Sequence, residues 1–272
     1  MSAVARGPAM PATPAVPASE VDGAVLFGRY AFPPNERGYC GPDRAAELLE
    51  RVSVGAAGRA LEEVARGFEG AWPYLEHIGE CLGRAPLDPL VVRTYWLGGR
   101  PLARCGGRRF ADSLESRFRS RLSRLDFERL VDAAVHGATP HHSFHVFGVY
   151  PWVGLLRGGV GDAPLEVLDR CRIGWGRVVE LRGDVADVLT PRLGWDGRRL
   201  ALGTPRLEPM RVRRGELGLA RPFVVGDWVS LHWDWVCDRL SPADLRDLRR
   251  STAQELAAVD SCAHAAPAAV LA

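Results

Sequence analysis

The sequence predicts an α+β protein with an all-α N-terminal domain, a small β-barrel after it, and a C-terminal helix. Three observations predict this. Apolar residues recur at helical spacing through most of residues 42–150. From Arg177 onward the pattern changes to short β runs separated by turn dipeptides. After Leu240 comes a complete helix-start signal. The expected divisions are a disordered tail over 1–20, a helical domain over 21–160, a barrel with its terminal helix over 165–260, and a loose tail over 261–272.

Residues 24–40 hold paired prolines, aromatics and glycines, and read as an ordered but irregular lead-in. Pro42 and Asp43 open a helix to about Val52. Residues 57–67 and 69–82 carry helical spacing, with Pro73 tolerable near a helix start. Asp88-Pro89 begins a helix to Trp96, and Arg109–Arg124 and Asp126–Val135 read as two more. Thr139-Pro140 is an N-cap and first-turn pair for a helix reaching Tyr150. A short helix is expected near Pro164–Asp169.

Arg177–Leu181 and Val185–Leu189 are β runs around Arg182-Gly183-Asp184. Asp196-Gly197 is a hairpin signal between Trp195 and Leu200. Met210–Val212, Phe223–Val225 and Trp228–Trp233 complete five or six strands, for which a small barrel is the economical closure. Ser241 then caps a helix with Pro242 at its first position, Asp244 at its third, and Leu240 and Leu245 as a hydrophobic staple.

Composition narrows the function. A net charge of +2 gives no electrostatic reason to bind nucleic acid or a membrane surface. All 35 basic residues are arginine, which excludes a Schiff-base lysine and a GK[ST] phosphate loop. The six cysteines form no C-x-x-C pair, so a zinc knuckle is not expected. No apolar run is long enough to span a membrane, and the Ala/Pro-rich start lacks a signal-peptide core. The expectation is a soluble cytoplasmic protein with mostly reduced thiols.

Two segments carry chemistry. In the first, Cys171 sits between Arg170 and Arg172, whose charges would favour its thiolate. In the second, alternation places Trp228, Ser230 and His232 on one face of a strand. Taken singly, Cys171 is either a reactive thiolate or an inert buried thiol, and His232 is either a ligand or a hydrogen-bonded sheet residue. Asp234 could orient His232, and Trp228, Trp233 and Trp235 could form a partner surface. His141, His142 and His145 spell HH-x-x-H. On a helix, positions 141 and 145 share one face, an alternative metal or partner site. The glutamate of a zinc-protease motif is missing there.

Considered together, Cys171, Gly176 and Val178 (C-x4-G-x-V) and Gly226, Asp227, Val229 and His232 (G-D-x-V-x-x-H) resemble the HypC/HupF family of nickel–iron hydrogenase maturation chaperones. The resemblance covers roughly residues 170–260, with a capped acidic helix following in both cases. It implies an OB-like, HypC-like barrel. It also implies Cys171 and His232 as ligands of an iron fragment that carries cyanide and carbon monoxide. The implied partners are the hydrogenase large subunit and other maturation proteins, and no catalysis is required. The blocks FEGAWPYLE, PHHSFHVFGVYPWVGLLR and SLHWDWVCDRL make the whole chain look like an actinobacterial family of unknown function that accompanies hydrogenase genes. Two rivals stay open, a histidine-helix metalloenzyme and an interaction module that keeps only the barrel.

Overall fold

The structure, a computed structural model, describes residues 21–118, 128, 131, 134, 137–150, 152–159 and 161–261. Of the expected helix over 126–135 only residues 128, 131 and 134 are described, each helical, and the end of the one over 109–124 lies outside the described residues.

The first helix, α1 (Gly23–Glu36), starts where Asp22 accepts the backbone N–H groups of Ala24 and Val25 at 2.8 and 3.2 Å. Nearly every residue on it is buried. This corrects the irregular lead-in expected over 24–40. Pro33 and Pro34 fall in the last turn, where their missing N–H groups leave the Arg29 and Tyr30 carbonyls without their i+4 partners. Around α1 pack α2 (Ala45–Ser53), α3 (Arg59–Arg66) and α5 (Pro89–Leu97), and α4 (Trp72–Leu82) packs on α5. A 3-10 turn (Arg100–Arg104) leads to α6 (Arg108–Phe118).

The histidine segment departs from expectation. The helix α7 begins only at His142 (His142–Phe144) and continues as a π-helical turn, His145–Val149. Its N-cap is His141, not Thr139. The His141 Nδ1 accepts the Ser143 N–H at 3.1 Å, while Thr139 donates its hydroxyl and its N–H to Glu255. Two helices follow, α8 (Trp152–Arg157) and α9 (Ala163–Cys171).

Five strands then form a mixed sheet in the order β1-β2-β3-β7-β6, and β6 pairs back onto β1 so that the sheet closes. They are β1 (Gly174–Arg182), β2 (Val185–Trp195), β3 (Leu200–Arg211), β6 (Trp228–His232) and β7 (Trp235–Arg239). The pairs are antiparallel except β3 with β7, which meet in parallel at Arg211 and Trp235. Two short strands, β4 (Arg213–Arg214) and β5 (Leu217–Gly218), form a separate ribbon. Inside the closed sheet pack Val178, Val188, Met210, Val229, Leu231 and Val236. The strand expected over 223–225 is instead a turn with Val224 and Val225 exposed, because Asp227 takes the Val224 N–H at 3.0 Å.

The terminal helix α10 (Pro242–Ser261) starts as expected. Ser241 and Asp244 exchange backbone and side-chain hydrogen bonds in a capping box. It crosses α5 at Gly98, where a Cβ would sit 1.9 Å from the Ser251 hydroxyl. The largest core cluster joins both halves, uniting Tyr30, Trp96 and Phe144 with Ile173, Trp175 and Trp235.

Candidate metal centre

Cys171 is the last residue of α9, three positions before β1 begins. β1 pairs with β6 in a register that sets Gly174 opposite Leu231, which brings the α9 terminus to the end of β6. The turn after β6 locks this in place. Trp233 adopts a positive φ of 56° and donates its N–H to the Arg170 carbonyl at 2.7 Å. The residue after His232 is thus bonded to the residue before Cys171. From the helical side His142 reaches in, its Nε2 at 2.9 Å from the Cys171 carbonyl. One ligand atom from each of His142, Cys171 and His232 lies within 4.8 Å of the other two.

Hydrogen bonds settle the tautomers. A carbonyl only accepts, so His142 Nε2 and His232 Nδ1 carry protons. The acceptor for His232 is the Tyr30 carbonyl at 2.6 Å. In a regular helix that carbonyl would take the N–H of residue 34, but residue 34 is proline. Pro34 therefore leaves Tyr30 free to hold the imidazole, and His232 Nε2 is left with a bare lone pair, buried and without a protein partner. A buried, unpartnered imidazole nitrogen beside a thiol suits a soft or borderline metal ion. On His142 the lone pair is at Nδ1, where the Tyr95 hydroxyl donates at 3.2 Å, so a metal ion bound there would take the place of that hydrogen bond.

The three residues open onto a cavity of about 270 Å³, lined otherwise largely by apolar and aromatic side chains and by Cys40. Burial pushes His232 down to about 3 and His142 to about 4, so both imidazoles are neutral at physiological pH. Burial, then the neighbouring Cys40, pushes the Cys171 thiol up. This corrects the expectation of a thiolate favoured by flanking arginines. Arg170 pairs with Glu166 at 2.9 Å, and Arg172 turns to Asp169 and the Pro191 carbonyl, so neither charge serves the sulfur. A bound cation would supply the charge that deprotonates it.

The chain belongs to a family of unknown function, DUF6390, which it matches over residues 19–266. No curated protein and no solved structure matches it. Among the described residues of this DUF6390 member, the histidine–cysteine–histidine cluster is the group of metal-ligating side chains close enough to share an ion.

Sequence reasoning treated the Cys171/His232 pair and the HH-x-x-H segment as separate candidates. The structure merges them through His142 alone. His141 caps its own helix, and His145 lies against Tyr74 and Tyr150, with its Nδ1 at 3.3 Å from the Tyr74 hydroxyl. The late helix start, which leaves His141 extended as the N-cap, undoes the shared face of 141 and 145. Asp234 does not orient His232, because it pairs with Arg37 at 2.5 Å and Arg211 at 3.2 Å. Nor do the three tryptophans make a surface. Trp233 packs under Tyr39 at the hairpin turn, Trp235 is wholly buried against Phe32, and Trp228 is half-buried beneath Arg249. Tyr30, Pro34, Tyr95 and Cys40 were not singled out from sequence. The Pro-Pro pair in an apolar segment was the one available signal.

Among the described residues, no helix is long and apolar enough to cross a membrane.

Proposed function

We propose that this protein is a cytoplasmic accessory factor in nickel–iron hydrogenase maturation. In this reading it holds an iron fragment bearing cyanide and carbon monoxide on Cys171, His232 and His142. The observation that carries the reading is the meeting of Cys171 and His232, 61 residues apart in sequence, within 4.8 Å. These are the two residues singled out by the HypC/HupF resemblance. The closed sheet with its capped terminal helix further supports a HypC-like barrel. Thiolate and imidazole both bind iron, and three protein ligands leave coordination positions for small ligands facing the cavity. The iron fragment is cargo, the hydrogenase large subunit its expected recipient, and no turnover is required. The metalloenzyme alternative loses support, because His141 and His145 do not converge.

The test is anaerobic purification from a hydrogenase-expressing host, with metal analysis and infrared spectroscopy. Wild type should carry iron with cyanide and carbonyl stretching bands, and Cys171→Ala and His232→Ala should lose both. A folded wild-type protein that co-purifies with its hydrogenase partner but lacks iron and bands would overturn the reading. It would favour an interaction module.

A further inference from the structure

The metal centre has a neighbour that is neither histidine nor cysteine. Tyr95, near the end of α5, is almost fully buried and lines the same cavity as His142, Cys171 and His232. Its hydroxyl lies 3.2 Å from His142 Nδ1. That nitrogen carries the free lone pair of the ring, because the Nε2 proton is committed to the Cys171 carbonyl.

The spacing of this oxygen and nitrogen matches that of two ligands on one ion. Ligand atoms each about 2.1 Å from a metal stand about 3.0 Å apart at an octahedral angle and about 3.4 Å apart at a tetrahedral one. The observed 3.2 Å falls between the two. An ion seated on the Nδ1 lone pair therefore either bonds the Tyr95 oxygen or has to drive it away. The ring has little room to retreat, stacked on Tyr74 at 5.6 Å and packed against Trp96 at 4.7 Å.

Charge points the same way. Among the described residues that line the cavity there is no aspartate, glutamate or arginine. A divalent ion held by two neutral imidazoles and one thiolate would keep an unmatched positive charge in apolar surroundings, which is costly. A second anionic ligand cancels it. Cys40, Tyr39 and Tyr150 also line the cavity, but the Tyr95 oxygen is the one hydrogen-bonded to a ligating ring.

We propose that Tyr95 is a fourth ligand of the centre, holding a divalent metal ion through its phenolate oxygen beside His142, Cys171 and His232. This rests on the metal-binding reading of those three residues and adds a second anion to it. The ion takes the place of two protons. One leaves the Cys171 thiol, one leaves the Tyr95 hydroxyl, and both go to solvent. Burial raises both groups above their ordinary values, so both are protonated before the metal arrives. The two imidazoles are already neutral and release none. On six-coordinate iron the four protein ligands still leave positions for the small ligands of an iron fragment.

Zinc is the probe, because it is redox-inert. Reduced, metal-free full-length protein would be titrated with Zn(II) without oxygen in weak buffer. A pH indicator counts the protons released, and the ultraviolet difference spectrum reports ionised tyrosine. Wild type should release two protons per zinc and show the tyrosinate band. Tyr95→Phe should release one proton and lose the band. Tyr150→Phe, which alters another tyrosine of the cavity wall, should keep both. Zinc bound by wild type with no tyrosinate band overturns the proposal and leaves the three-ligand centre standing, as does a band that persists in Tyr95→Phe. A folded wild type that takes up no zinc overturns the tyrosine ligand and the metal centre together. The wild-type spectrum needs no variant, so it can overturn the proposal even where Tyr95→Phe does not fold.

Discussion

At the scale of single residues, the metal centre depends on hydrogen bonds that are missing as much as on those present. Pro34 has no N–H to give the Tyr30 carbonyl, so that carbonyl can fix the His232 tautomer. Pro34→Ala would restore a competing donor from within α1. The fold should survive, because the new N–H completes a helical bond. Affinity for added Co(II) should fall about 10- to 100-fold, the scale on which outer partners of a ligating histidine act. Spectrophotometric titration reads this, and affinity equal to wild type would show that the Tyr30 carbonyl does not matter. His142→Ala removes a ligand outright and should weaken Co(II) binding by at least about 100-fold. If the Cys171/His232 pair bound Co(II) as tightly without it, His142 would be a bystander. Cys171 and His232 were legible in sequence because each sits in a motif that ends at one of two paired strands. His142 was not placed with them, because helical periodicity groups 141 with 145 and nothing local announces that the helix starts only at 142.

At the scale of elements, the glycine of the C-x4-G-x-V motif has a packing reason. A Cβ on Gly176 would lie 2.3 Å from Val188 Cγ1 and 2.9 Å from the Leu189 carbonyl oxygen, across the β1–β2 pair. Gly176→Ala should cost about 1–3 kcal/mol, the usual penalty of overpacking. On Gly174 the same atom meets the Leu231 side chain at 3.4 Å, an ordinary contact. Gly174→Ala should therefore stay within about 0.5 kcal/mol of wild type. Urea midpoints of the two variants test the contrast, and equal losses would sink the account. Most helices and strands were legible because their apolar period is strong, and α10 was legible down to its capping box. Two elements misled for opposite reasons. In α1, the prolines that usually break a helix sit in its last turn, where the helix ends within two residues and the freed Tyr30 carbonyl takes the His232 N–H instead. At Phe223–Val225, an apolar run that looks like a strand is bent by the Asp227 carboxylate into an exposed turn.

At the scale of the whole molecule, the metal centre lies where helices and closed sheet share one core, and that core holds titratable groups out of water. Burial pushes His141 and His232 down to about 3 and His142 to about 4. An unfolded chain protonates these histidines near pH 6.5, which the folded protein resists, so their stabilising contribution is complete above that pH. It drains away as pH falls toward their folded values, at about 1.4 kcal/mol per pH unit for each group. Glu255 acts in the other direction. Burial raises it to about 7 against the Thr139 hydrogen bonds that lower it, so its protonated form stabilises the fold. That contribution is lost as pH rises from the ordinary glutamate range through 7. Between about pH 6 and 5 the three histidines outweigh the one carboxyl, and apo-protein stability should fall by about 3 kcal/mol per pH unit. Against a typical total of about 5–15 kcal/mol this is a large fraction, so the apo-protein should unfold at a markedly lower urea concentration at about pH 5 than at about pH 7. Glu255→Gln removes the opposing group, so its stability should fall more steeply over the same interval while holding level from about pH 7 to 8. Urea midpoints of the metal-free protein across this range read both slopes. A flat wild-type profile from about pH 7 to 5 would mean that the buried imidazoles take up protons in the folded state.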